Sequence, residues 1–242
     1  MTPRGCDPDD PRRFDDDGVR RLTTAASELA WLLERSYPLV PSLALVGDRH
    51  GLDARARLAL QRGVAAPSVC SARGARRVSG ESLRGATLEV DAFNLIVSIE
   101  VALSRGPLFV GLDRAARDLA GLRGSYRLLP ETDEALSLIA GSLGALGVAR
   151  CRWWVDAPVS NAASLATKLR AWHETLAIEG EVELVRDADP VLARRELVVS
   201  SDARVIDEAR SWVSLALLVS RAVRPAAWII DLSTERAPDA GA

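Results

Sequence analysis

The chain has 242 residues, of which 48% are hydrophobic and 26% are charged, and its formal net charge at pH 7 is −2. These values are typical of a globular protein with one domain, or with one domain and a small second unit. The net charge excludes a general electrostatic nucleic-acid binder, although a local basic face stays compatible with it. The N-terminus lacks an apolar signal core, and no apolar run reaches membrane-spanning length, so we expect a cytoplasmic protein without a membrane partner.

Several common site chemistries are also excluded. Cys6, Cys70 and Cys151 show no metal-binding spacing and no even number, which favours a reducing compartment without disulfide bonds. His50 and His173 do not pair with cysteine or acids at zinc spacing. The sequence has no phosphate-binding Gly-x-x-x-x-Gly-Lys motif, no dinucleotide-binding Gly-x-Gly-x-x-Gly after its first strand and no Gly-x-Ser-x-Gly nucleophile motif.

The first third of the chain divides by composition. Residues 1–17 are acidic and rich in proline, so we expect them to be disordered, and the tail 233–242 is similar. Residues 18–66 show apolar residues at helical spacing and predict a helical unit. Residues 67–85 are rich in Ser, Arg and Gly and predict a linker, or alternatively an arginine arm beside a phosphate-bearing ligand.

From residue 86 to residue 232 the pattern alternates between strand and helix. Such alternation predicts a parallel, doubly wound α/β sheet with helices on both faces. The predicted strands are 87–91, 107–111, 150–155, 181–185, 197–201 and 226–230. The predicted helices lie near 94–104, 131–145, 160–176, 203–209 and 213–221.

Three of the predicted strands end in an aspartate: Asp91, Asp156 and Asp202. Right-handed crossovers place the carboxyl ends of parallel strands at one edge of the sheet, where ligands of α/β proteins bind. Carboxylates are the ligands that Mg²⁺ and Mn²⁺ prefer. The sequence therefore predicts that these three acids share a site for a divalent cation.

Each of these assignments has a structural alternative. Asp91 and Asp202 are equally well placed to cap the helix that follows them, and Asp156 to form a simple turn. Asn94 would orient a metal-bound water or a phosphate, and Glu100 would be either a supporting metal ligand or an exposed helical residue. Ser201 is expected to line the same site. The spacing of Asp187 and Asp189 before a proline predicts a turn, and Asp113 and Asp118 are interpreted in the same way.

The residues Val90-Asp-Ala-Phe-Asn94, followed by an apolar helix, resemble the opening motif of PIN/NYN-like nuclease domains, with Ala92 in place of the usual glycine. Val198-Val-Ser-Ser-Asp202 resembles a later strand end of the same superfamily. This resemblance covers residues 86–232. It implies that Asp91, Asp156 and Asp202 are catalytic metal ligands, with Asn94 and Glu100 in support.

The chain also resembles an uncharacterised prokaryotic family of unknown function over residues 18–232. The matching motifs are Arg35-Ser-Tyr-Pro38 through Val46-Gly-Asp-Arg-His-Gly51, Asp91–Asn94, Asp156-Ala-Pro-Val-Ser160 and Ser201-Asp-Ala-Arg-Val-Ile-Asp207.

The leading functional hypothesis is a Mg²⁺- or Mn²⁺-dependent ribonuclease, with RNA as its partner and Arg73, Arg76 and Arg77 holding the RNA backbone. The alternative is a catalytically inactive PIN-like module that binds RNA or protein, which the substituted Ala92 and the modest charge favour. A phosphatase on a related fold is a third hypothesis, although no Asp-x-Asp motif follows the first strand. The formation of a homo-oligomer stays open.

Overall fold

The computed structural model describes residues 4–121 and 124–233. The N-terminal part of the chain is helical. Within the described residues, no helix is both long and apolar enough to cross a membrane. The helices are α1 (Asp10–Arg13), α2 (Asp16–Glu34), α3 (Leu39–Arg49), α4 (Ala54–Gly63) and α5 (Pro67–Ala75).

Acidic N-caps begin two of these helices. The Asp15 carboxylate accepts the N–H of Gly18 at the start of α2, and the Asp53 carboxylate accepts the N–H of Ala56 at the start of α4. A cap of this kind satisfies a helix-terminal N–H group that has no partner within the helix.

The predicted disorder of residues 1–17 is corrected for the described residues from 4 onward. Asp7, Asp10 and Asp17 of this segment are paired with arginines, which removes much of the physical reason for disorder. Asp10 is buried, and its carboxylate accepts from the guanidinium groups of Arg55 and Arg13. Residues 234–242 of the predicted tail lie outside the described residues.

The predicted linker, residues 67–85, is also ordered. Helix α5 occupies its first half, and a 3₁₀ turn spans Gly80–Leu83. Between them, Val78 donates its N–H to the carbonyl of Trp212, and Trp212 donates its N–H to the carbonyl of Arg76. The segment is therefore held against a strand of the main sheet.

The main sheet has five parallel strands, which agrees with the predicted α/β class. In chain order they are β1 (Thr87–Asp91), β4 (Arg150–Asp156), β5 (Glu179–Val185), β6 (Val198–Val199) and β7 (Trp212–Val213). Their spatial order is β5-β4-β1-β6-β7, with every pair parallel. All five carboxyl ends therefore lie at one edge, and β1 lies at the centre of the sheet.

Two predicted strands belong to a second sheet, which the alternation pattern did not indicate. Strands β2 (Leu108–Val110) and β8 (Ile229–Asp231) pair in parallel, and β3 (Ala116–Arg117) pairs with β2 in antiparallel orientation. Phe109 and Ile230 of this sheet share a core with α2 and α4. The small sheet therefore packs against the N-terminal helices, and this contact buries its apolar residues.

The main sheet is covered on both faces. One core contains the buried residues of α6 (Ala92–Leu103), α7 (Pro130–Leu146), α8 (Ala162–Glu174) and α11 (Leu215–Ser220). A smaller core contains residues of α9 (Asp189–Leu192) and α10 (Ala203–Glu208). Neighbouring residues of strand β4 contact different cores: Trp153 belongs to the first core, and Trp154 packs against the second.

A buried histidine makes the stability of this fold depend on pH. Trp153 donates its indole N–H to Nε2 of His173 at 2.7 Å, so this nitrogen must be unprotonated. Burial lowers the pKa of His173 below its ordinary value of 6.5. As the pH falls through 6.5, His173 takes up a proton in the unfolded chain but stays neutral in the folded chain. The free energy of unfolding therefore decreases as the pH falls below 6.5.

We expect the His173→Gln variant, which keeps an acceptor but does not titrate, to lack this loss. Its deficit in unfolding free energy relative to wild type should shrink by about 1 kcal/mol as the pH falls from 7.5 to 5.5. Urea denaturation at both pH values measures the difference. A deficit that stays constant would contradict the role assigned to the neutral imidazole.

Candidate functional site

An open cleft of about 550 Å³ lies beside the carboxyl ends of β1 and β6. We call it the carboxylate cleft, because four aspartates line it: Asp91, Asp118, Asp189 and Asp202. Its remaining walls come from α4, from the start of α6 and from the segment after β3. The lining also includes Leu58, Gln61, Arg62, Phe93, Asn94, Arg117 and Ser201.

Asp91 is the last residue of β1 and the N-cap of α6. Its Oδ1 accepts the backbone N–H of Asn94 at 3.1 Å, and its Oδ2 accepts the hydroxyl of Ser200 at 3.0 Å. The strand leads directly into the helix, so the carboxylate is fixed at the sheet edge. Asp91 is therefore both a cap and a cleft residue, and the two alternatives from the sequence are not exclusive.

Asn94 joins α6 to the end of β6. Its Oδ1 accepts both the backbone N–H of Ser201 at 2.9 Å and the hydroxyl of Ser201 at 3.0 Å. The neighbouring Ser200 hydroxyl accepts the N–H of Asp202 at 3.1 Å. These bonds hold the strand end and the helix start as one rigid corner, which we call the β6 corner (Ser200–Asp202).

Asp202 caps α10, as one of its two sequence interpretations predicted. Its Oδ1 accepts the N–H of Arg204 at 2.8 Å. Asp189, at the start of α9, lies in the same cleft although the sequence predicted only a turn there. The signal was present, because Asp189 follows the end of β5 by four residues and all strand ends meet at this edge.

The acids of the cleft affect one another electrostatically. Burial, together with the negative charges of Asp202, Asp187 and Asp156, raises the pKa of Asp189 to about 6. Burial is also the main reason that the pKa of Asp91 rises to about 7, and the charges of Asp156 and Asp189 add to it. Hydrogen bonds from Asn94 and Ser200 act in the opposite direction. The acids of the cleft therefore hold their protons more strongly than isolated carboxyl groups do.

Asp156 ends β4 but does not line the cleft. Its Oδ1 accepts the N–H of Ala188 at 2.7 Å, so the carboxylate holds the start of α9. Its charge still raises the pKa values of Asp91 and Asp189. The structure therefore places Asp189, rather than Asp156, beside Asp91 and Asp202 in the cleft wall.

Glu100 does not take part in the cleft, which corrects its assignment as a supporting metal ligand. It is fully buried, and its Oε1 accepts the hydroxyl groups of Tyr126 and Thr132. The Arg4 guanidinium lies 2.7 Å from its other oxygen. Burial raises the pKa of Glu100. The carboxylate is thus part of an internal network between α6, α7 and the N-terminal segment.

Of the three arginines predicted to hold RNA, Arg73 and Arg76 bind protein groups through their side chains instead. Arg73 is buried between the carboxylates of Asp113 and Asp207, at 2.7 Å from each. Arg76 donates to the carbonyls of Asp207 and Ala209. Arg77 is exposed and forms a backbone bridge to Trp212. None of the three lines the carboxylate cleft.

Arg117 was not indicated by any sequence motif. Its Nε donates to the carbonyl of Ser201 at 2.8 Å, and its two terminal nitrogens donate to the carboxylate of Asp113. Asp113 therefore bridges Arg117 and Arg73, and despite burial these arginines lower its pKa. The network supports the β6 corner through the bond from Arg117 to the carbonyl of Ser201. The sequence did not indicate it, because Arg73, Asp207 and Ser201 are far in sequence from the Asp113–Arg117 pair.

The donor set determines which metals the cleft suits. Its polar groups are carboxylate, amide and hydroxyl oxygens, which suit hard cations such as Mg²⁺ and Mn²⁺. Within residues 4–121 and 124–233, however, no three His, Cys, Asp or Glu side chains group closely enough to hold a metal ion by themselves. The residues fit a cation that keeps water ligands and takes others from a substrate, and not one enclosed by protein.

Comparisons with known proteins describe the chain as two adjacent family segments. Residues 80–217 match a family described as Domain of unknown function (DUF5616). Residues 21–76 match one described as Protein of unknown function (DUF434). The uncharacterised protein MJ0935 of Methanocaldococcus jannaschii is 26% identical over 185 residues, which is 76% of this chain and 88% of that protein. No solved structure matches the chain.

The raised pKa of Asp91 predicts a pH-dependent cost to folding. Because the folded pKa is about 7 and the ordinary value is 3.8, the cost is full above pH 7 and declines as the pH falls toward 3.8. Without divalent cations, we expect Asp91→Asn to raise the unfolding free energy at pH 7.5 by about 1–3 kcal/mol. The gain should narrow at pH 5. Denaturant titrations measure it, and a variant less stable than wild type at pH 7.5 would contradict the assigned cost.

Proposed function

The chain belongs to the DUF5616 family, and we propose that it is a divalent-cation-dependent ribonuclease that hydrolyses RNA phosphodiesters in the carboxylate cleft. One observation supports this proposal above the others. Asp91, Asp189 and Asp202 come from three separate elements, yet all three line one open cleft at the carboxyl edge of a parallel sheet. Ligands of open α/β sheets bind at this edge.

Asp91, Asp189 and Asp202 would hold Mg²⁺ or Mn²⁺, with Asn94 and Ser201 nearby. Mg²⁺ is usually bound through one or two carboxylates, several waters and the phosphates of a substrate, which agrees with the absence of a closed protein cage among the described residues. When bound, such a cation lowers the pKa of an attacking water and offsets charge on a phosphoryl oxygen.

The chain's own residues prepare the cleft for this chemistry. Both carboxylate oxygens of Asp91 accept hydrogen bonds, which fix its orientation before a ligand arrives. The Oδ1 of Asn94 is held by Ser201, so its amide nitrogen is the group available to donate to a phosphate oxygen. Fixed polar groups of this kind need little rearrangement during a reaction.

A catalytically inactive binding module is the second candidate. Two observations favour it: no three acids form a metal cluster within the described residues, and Ala92 replaces the glycine usual in the PIN/NYN-like motif. Ala92 is fully buried as the first residue of α6. Both candidates share the same cleft and differ only in whether it cleaves what it binds.

We expect the purified protein to cleave single-stranded RNA in the presence of Mn²⁺. The addition of EDTA should stop this cleavage. Asp91→Asn and Asp189→Asn should each lower the rate by at least about 100-fold, because each removes a negative charge that holds the cation. Asp156→Asn should have a smaller effect, since its carboxylate holds Ala188 outside the cleft.

The matched control is Asp17→Asn, which makes the same change at an exposed position on α2 and should leave the rate unchanged. Gel analysis of labelled RNA gives the rates, and circular dichroism confirms that each variant folds. A wild-type protein that binds RNA but cleaves none with Mn²⁺ or Mg²⁺ would leave the inactive binding module as the function. Loss of cleavage in Asp17→Asn as well would indicate a general effect of charge.

A further inference from the structure

One wall of the carboxylate cleft comes from the N-terminal helices rather than from the α/β sheet. Leu58, Gln61 and Arg62 of α4 line the cleft on this side. Helix α4 packs against the second sheet, with Ala59 and Leu60 fully buried. The position of the wall is therefore fixed by a hydrophobic core and not by the ligand.

Arg62 is the cationic group on that wall. Its Nη1 donates to the carbonyls of Asp118 at 2.6 Å and Ala120 at 3.0 Å and lies 3.6 Å from the Asp118 carboxylate, and about one third of its side chain is exposed. A guanidinium carries N–H donors on three nitrogens. Bonds from Nη1 alone therefore leave the group able to bind an anion while the carbonyls hold it in place.

Arg117, a second arginine in the cleft lining, is differently placed. Its three nitrogens donate to Ser201 and Asp113, and its side chain is almost completely buried. It is a structural support for the β6 corner. Of the two arginines that line the cleft within the described residues, Arg62 is therefore the one that can bind an anion, and the exposed Gln61 is next to it.

The cleft consequently has Asp91, Asp189 and Asp202 on one side, and on the other side Arg62, which is paired with Asp118. A ligand that fits both sides carries a phosphate close to the acids, through a cation, and a second anionic group a short distance away. The backbone of a nucleic acid has this repeating charge. A volume of about 550 Å³ is in the range of pockets for small ligands, which suits a nucleotide or two and not a duplex.

We propose that α4 is the substrate-binding wall of the cleft, where Arg62 and Gln61 bind a backbone phosphate of single-stranded RNA next to the phosphate held at the acids. The identity of the ligand as RNA rests on the proposed function. The helical segment and the α/β segment then form a single site, and neither contains the complete site alone.

A positive or a negative charge can be introduced at Gln61, because an exposed position tolerates either one without loss of the fold. We expect Gln61→Lys to tighten and Gln61→Glu to weaken the binding of a fluorescein-labelled ten-residue oligouridylate, each by about 3- to 10-fold in low salt. Fluorescence anisotropy in Ca²⁺, which binds the same kind of oxygen ligands as Mg²⁺ and Mn²⁺, measures binding, and gel analysis of the same samples checks that the RNA stays intact. Thr24→Lys and Thr24→Glu, at an exposed position of α2 outside the cleft, are the matched controls.

Arg62→Ala provides the second measurement, with an expected loss of at least about 10-fold in affinity, and Arg62→Lys should restore part of it. Thermal unfolding identifies any variant that fails to fold, and the Gln61 pair then decides the outcome. Equal affinities of the two Gln61 variants, equal shifts in the Thr24 pair, or no binding by wild type would each overturn the proposed wall.

The same experiment separates this inference from the proposed function. Binding that follows the charge at Gln61 without any cleavage in Mn²⁺ would overturn the ribonuclease and support the wall. Cleavage in Mn²⁺ with a KM that is the same for both Gln61 variants would support the ribonuclease and overturn the wall.

Discussion

The burial of the Asp91 carboxylate at the end of the central strand is the constraint on which the candidate site depends. An isolated buried charge is costly unless hydrogen bonds compensate it. Here the compensation comes from the N–H of Asn94 and the hydroxyl of Ser200, so the same bonds that support the charge join α6 to the end of β6. Asn94 then fixes Ser201, and the rigid corner places Asp202 in the cleft. Stability and the candidate function are therefore in conflict at this edge of the sheet.

A second network of hydrogen bonds and ion pairs connects that corner to other elements of the fold. Arg117 holds the carbonyl of Ser201, Asp113 holds Arg117, and Arg73 of α5 links Asp113 to Asp207 of α10. Buried ion pairs add little net stability compared with apolar residues, but removing one partner leaves an uncompensated charge. The network therefore constrains the relative positions of α5, β3 and α10. The two family segments meet between residues 76 and 80, where backbone bonds of Arg76 and Val78 to Trp212 hold the connection.

The fold class and part of the site were predictable from the sequence, because strand and helix periodicities depend on local burial. The same local logic placed Asp91, Asn94, Ser201 and Asp202 at a sheet edge, and the structure brings these four to one cleft. Other features depend on tertiary pairing that periodicity does not encode. The second sheet, the Arg73 ion pairs and the internal network of Glu100 each require partners far away in sequence. Asp189 was missed for a different reason: the local sequence around it is as typical of a turn as of a site at the end of a strand.

The location of a bound cation tests the central claim most directly. Crystals of the full chain soaked in Mn²⁺ and measured at a wavelength with strong manganese anomalous scattering would show where the ion binds. We expect an anomalous peak in the carboxylate cleft, within about 2–2.5 Å of an oxygen of Asp91, Asp189 or Asp202, and no such peak in crystals of Asp91→Asn. A fully soaked crystal with no manganese in the cleft, or with manganese only at surface carboxylates elsewhere, would contradict the proposed metal site.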